Sequence, residues 1–167
     1  MGKCFLDLFW YFHASLPHRR ASPYPNNVMD EPIIQIQVYD KREKMTGNLY
    51  VVDLGDNRYR MTENDIFNCR LTLGAEFQTR VNDLGVHEII RIVKDSPYYT
   101  RRFLLSTQFT ESDCRVMGDE IVKQGGFWQV DFGGVATINL PPGCDLDLDK
   151  LFKLFDCYPT EIVGDKE

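Results

Sequence analysis

Phe127-Trp128-Gln129-Val130-Asp131-Phe132-Gly133-Gly134-Val135-Ala136-Thr137-Ile138-Asn139-Leu140 is the stretch whose reading decides the fold of the second half of the chain. Its first half alternates, so Trp128, Val130 and Phe132 share one face, with Gln129 and Asp131 on the other. Its second half alternates too, bringing Ala136, Ile138 and Leu140 together. Gly133-Gly134 between them suits a two-residue primed turn joining antiparallel strands. The hairpin carries architecture and no chemistry.

Helices are expected on both sides of it. Upstream, Thr110 with Asp113 three residues later matches a capping box, with Asp in the place of the usual Glu. Cys114, Met117, Ile121 and Val122 then recur at helical spacing, and Gly125-Gly126 ends the helix. Downstream, Pro141-Pro142-Gly143 leads to an acidic first turn (Asp145, Asp147, Asp149) and to Leu151, Leu154 and Phe155 on one helical face. Pro159 breaks that helix, and Thr160 to Val163 reads as a last short strand. From Phe103 onward the order is β-α-β-β-α-β. That is the split-βαβ, ferredoxin-like arrangement, in which two helices cover one face of a four-stranded antiparallel sheet.

The first half has a different texture. From Ile33 the period is two: Ile34, Ile36 and Val38 oppose Gln35 and Gln37. Asn48 to Leu54, Tyr59-Arg60-Met61, Glu76 to Val81, Val86 to Val93 and Tyr98 to Leu105 continue the series, punctuated by Gly55-Asp56-Asn57 and Asn82-Asp83-Leu84-Gly85. Short strands with closely spaced turns predict a small antiparallel barrel or curled sheet. The fold class expected is α+β, with an irregular tail over 1–32, a small antiparallel β subdomain over 33–102 and a ferredoxin-like subdomain over 103–167. Pro17, Pro23, Pro25 and Pro32 with Asn26-Asn27 make the tail, and Met29 reads as the start of the folded body.

The charge is unevenly spread, and this bounds the partners. Of the net −6, residues 107–167 carry −7, residues 29–106 carry −1 and residues 1–28 carry +2. Nucleic acid is repelled by such a surface, whereas a basic protein is attracted. Five scattered cysteines without a C-x-x-C pair indicate neither a zinc knuckle nor a disulfide framework, and a reducing cytoplasm is the simplest setting. Phe5 to Phe12 is apolar but too short to span a bilayer, carries Asp7 and has only Lys3 before it, so neither a membrane span nor a cleaved leader is expected.

Few residues suggest catalysis. Only His87 of the three histidines lies in the patterned region, and neighbouring Glu88 should point to the opposite face of its strand. Cys144 precedes a helix start that would lower its pKa, but three aspartates follow and oppose this. Asp145, Asp147 and Asp149 alternate like a calcium loop yet lack its glycine and its later glutamate, so they read as helix-capping acids. Tyr98-Tyr99 with Arg101-Arg102 could stack bases or grip a phosphate; in acidic surroundings the stronger reading is strand residues with the arginines at the rim. No phosphate loop or nucleophile elbow occurs. No cofactor, metal or catalytic residue is assigned.

Between Leu49 and Leu140 the chain resembles a bacterial domain-of-unknown-function family, number 4265. The carriers are Gly55-Asp56-Asn57-Arg58-Tyr59-Arg60, Ile66-Phe67, Leu73-Gly74-Ala75-Glu76-Phe77, Ile90-Arg91-Ile92-Val93, Ser96, Thr100 and Arg102. Members of the family have Leu-Gly-Asp at Leu73-Gly74-Ala75 and Ser-Gly at Ser96-Pro97. The resemblance implies a shared fold and brings no activity or catalytic residue.

The expected function is a non-enzymatic protein-binding module, its acidic surface meeting a basic protein as an immunity protein meets a toxin. The candidate contact residues are Asp119, Glu120, Asp145, Asp147 and Asp149, joined by Tyr98 and Arg102. The alternatives are a regulatory domain sensing a small molecule, bound at the second sheet or between the two halves, and an enzyme using Cys144 or His87.

Overall fold

Ile34, Ile36 and Val38 alternate with polar residues because β1 (Ile33–Asp40) has one face toward a core and one toward water. The computed structural model describes residues 31–41, 44–107 and 109–163, so the expectations for the tail, Phe5 to Phe12 and Met29 lie outside the described residues. β1 pairs with β2 (Met45–Gly55), which continues through β3 (Arg58–Met61), β4 (Glu76–Val81) and β5 (His87–Lys94) in an antiparallel series. The sheet closes into a barrel by a parallel pairing of β1 with β5 at Val38–His87 and Tyr39–Glu88. The small antiparallel barrel expected from the sequence is present, and because an up-and-down series of five strands is odd, its closing pair is parallel.

Inside the barrel lie Ile36, Val38, Leu49, Val51, Tyr59, Met61, Leu71, Ala75 and Phe77. Ile89 and Ile92 also turn inward although three residues apart, which strict alternation forbids. Register shifts in the β4–β5 pairing, opposing Thr79 to Ile89 and Phe77 to Ile92, absorb the extra residue.

The second sheet has the order β7-β8-β6-β9, with β6 at Tyr99–Leu104, β7 at Phe127–Asp131, β8 at Val135–Leu140 and β9 at Thr160–Glu161, every neighbour antiparallel. β6 belongs whole to this sheet, and residues 102 and 103, between which the sequence divided the chain, both lie inside it. The fold is mixed α+β and mostly strand.

Helix α1 (Glu111–Lys123) starts as its caps dictate: the Thr110 hydroxyl accepts from the Asp113 amide while the Asp113 carboxylate accepts from the Thr110 amide. It stops at Gly125, whose φ of 75° lets the Gly125 and Gly126 amides donate to Val122 and Ile121. Its buried residues are Met117, Gly118 and Ile121, whereas Val122, expected inside, is exposed. Gly118 makes room for the indole: a Cβ there would lie 2.3 Å from Trp128 Nε1. Helix α2 (Leu148–Leu154) buries Leu148, Leu151 and Phe152, and Leu154, also expected inside, is 81% exposed. Both helices pack on the sheet face that carries Phe103, Ile138 and Leu140.

The hairpin departs from its sequence reading in one respect. Asp131 pairs with Val135, so the loop is three residues, Phe132-Gly133-Gly134, with Gly134 N donating to Asp131 O at 3.0 Å. Phe132 therefore leaves the face of Trp128 and Val130 and stands 61% exposed at a φ of 46°.

Candidate functional site

In β8 the side chains on both faces are buried: Ala136, Ile138 and Leu140 on one, Thr137 and Asn139 on the other. Strand register puts Thr100, Arg102, Gln129 and Asp131 on the second face with them, a polar surface that a lone sheet would leave to water. Here the loop joining β3 to β4 lies against it. Asn64 Nδ2 donates to Asn139 Oδ1 at 2.8 Å, Asn139 Nδ2 donates to Asn64 Oδ1 at 3.1 Å and to Thr100 Oγ1 at 2.8 Å. Gln129 accepts from the Asn64 amide at 3.0 Å and donates to the Asn64 carbonyl at 3.1 Å. Arg102, 6% exposed, donates to the carbonyls of Asp65 and Ile66. These bonds fix one relative placement of the two sheets, while the Thr137 hydroxyl on the same face is buried without a hydrogen-bond partner among the described residues.

Where this junction opens, the barrel end, the β3–β4 loop and the β7–β8 turn enclose a cleft of about 240 Å³. Its floor is apolar, with Leu49, Met61 and Leu71 from the barrel core. Around it stand four carboxylates: Asp40 at the end of β1, Glu63 and Asp65 in the loop, and Asp131 at the end of β7. No basic side chain is among the described residues lining it. Phe67 and Phe132 also line it, their ring centroids 6.0 Å apart.

Burial pushes the Asp65 carboxyl above the usual carboxylate range, and the charge of Asp40 pushes the same way. The Phe67 amide, donating to Asp65 Oδ1 at 3.0 Å, and the Arg102 guanidinium pull it back. No group of three or more His, Cys, Asp or Glu among the described residues is placed to hold a metal ion.

The residues singled out from the sequence are dispersed. Asp119 is exposed on α1, and Glu120 accepts from Lys123 and Gln124, which holds its carboxyl below its ordinary value. Asp145 is exposed ahead of α2, Asp147 is that helix's N-cap, accepting from the Lys150 amide at 3.0 Å, and Asp149 meets Arg101 at 3.3 Å. All five lie on the helical side of the second sheet, away from the cleft. Tyr98 is half-buried near Gly74, and its phenol is pushed upward by burial. Arg101 and Arg102 point to opposite faces, Arg101 bonding Glu161 at 2.8 Å and stacking 4.8 Å from the Phe103 centroid. Both guanidiniums are engaged within the chain.

His87 Nδ1 lies 2.9 Å from Thr79 Oγ1 and its ring meets Tyr59 edge-on, whereas Glu88 binds Arg80 at 2.7 Å. Cys144 packs half-buried against the helical core. Cys114 faces Asp113 and Cys157, and burial first, then those charges, push its thiol up to about 11. Asp40, Glu63, Asp65 and Asp131 were not singled out from the sequence, because they come from three separated segments. The one available signal was Phe132, an apolar residue beside two glycines.

No protein-family model matches the chain, and no curated protein matches it. It is similar to a solved structure, a hypothetical protein from Neisseria gonorrhoeae, at 16% identity and a TM-score of 0.51, covering 76% of this chain and 87% of that one. At that identity the likeness shows the fold alone. No helix among the described residues is long and apolar enough to cross a membrane.

Proposed function

We propose that this chain is a non-enzymatic binding module that engages a basic protein partner. The observation that carries the proposal is the cleft between the two sheets, lined by four carboxylates, Asp40, Glu63, Asp65 and Asp131, beside an apolar floor. Three of those acids precede residue 107, so the contact is centred on the cleft, and the more acidic C-terminal segment adds long-range attraction. The helix acids Asp119, Glu120, Asp145, Asp147 and Asp149 act in this reading at a distance, on encounter rate.

The finer fold reading belongs to the same proposal. We read the second half as ferredoxin-like, supported by its order β7-β8-β6-β9, its antiparallel pairings and the packing of both helices on one face. The resemblance to family 4265 rests on its motif residues. A small-molecule sensor is the second reading, favoured by the position of the cleft between the two halves.

The test is affinity capture followed by stopped-flow kinetics of the recovered partner against ionic strength. A basic partner whose association slows as salt rises through about 0.15 M, and slows again with Asp40→Asn plus Glu63→Gln, is the expected result. An acidic partner, or capture indifferent to salt, ends the reading. Stabilisation by a cationic metabolite with no protein captured favours the sensor instead.

A further inference from the structure

We draw no further inference here: the strongest candidate, the basic surface patch of Arg58, Arg80, Arg91 and Lys94 on the outer side of β3, β4 and β5, is bonded within the chain through Glu76, Gln78 and Glu88, and nothing in the structure shows what covers it.

Discussion

Ile138 and Asn139 are neighbours in β8, both fully buried, and they point into two layers built on opposite principles. On the Ile138 side, Phe103, Met117, Ile121, Leu151 and Phe152 form an apolar layer between sheet and helices. On the Asn139 side, amides, a hydroxyl and a guanidinium form a bonded layer between sheet and barrel loop. Apolar burial is non-directional and scales with area, so the first layer supplies stability. Hydrogen bonds add little net energy but are costly to leave half made, so the second layer selects a single docking of the two halves. The cleft is where the second layer runs out toward solvent.

The comparison can be broken most sharply at Ile138. Ile138→Ala should cost about 3–4 kcal/mol in urea unfolding, the range for an aliphatic side chain removed from a full core. A loss under 1 kcal/mol would mean that the helices do not seal that face. Asn139→Ala should cost less, about 1–3 kcal/mol, by removing the two amide bonds that Asn64 makes to Asn139 and the one that Thr100 accepts from it. If its cost matches or exceeds that of Ile138→Ala, the division into a stabilising and a specifying layer fails.

The smallest effect should have the opposite sign. The folded-state pKa of Asp65 is raised, chiefly by burial, so its ionised form opposes folding at neutral pH. Stability from this group returns as the pH falls through the folded pKa toward the ordinary carboxylate value. Asp65→Asn keeps an acceptor for the Phe67 amide and removes the charge, so it should raise Tm at pH 7 by an amount worth under about 1 kcal/mol. That gain should vanish in acid. A destabilised variant at pH 7, or a gain independent of pH, would show that the Asp65 carboxylate is held by contacts that outweigh its desolvation.

How much of this the sequence could show follows from the range of each signal. The Thr110–Asp113 capping box, the Gly125-Gly126 stop and the alternation of Ile34, Ile36 and Val38 are local chemistry, and each is present as read. What failed was parity and partnership at longer range. Gln129, Thr137 and Asn139 alternate with apolar residues just as solvent-facing strand residues do, and nothing local says that a distant loop will cover them. Phe132 was assigned to a strand because alternation runs through it, whereas two adjacent left-handed residues, Phe132 and Gly133, place it in the turn. Leu154 and Val122 fit a helical repeat yet face water, because each helix buries only the narrow stripe its sheet can reach. The cleft escaped for a plainer reason: its acids come from β1, the β3–β4 loop and β7, and adjacency in space has no trace in spacing.

The parallel contact between β1 and β5 has a consequence in time. It joins residues far apart in the chain through only two facing pairs, with Lys41 and Glu88 bridging at 3.5 Å. Such a contact is made after the hairpins that lead to it, because loop-closure entropy must be met before it is rewarded. Asp40 and Ile89, each one residue beyond that contact, also line the cleft. The latest-forming seam of the barrel is therefore one wall of the cleft, and a ligand that bound there only in the closed barrel would hold it shut by mass action.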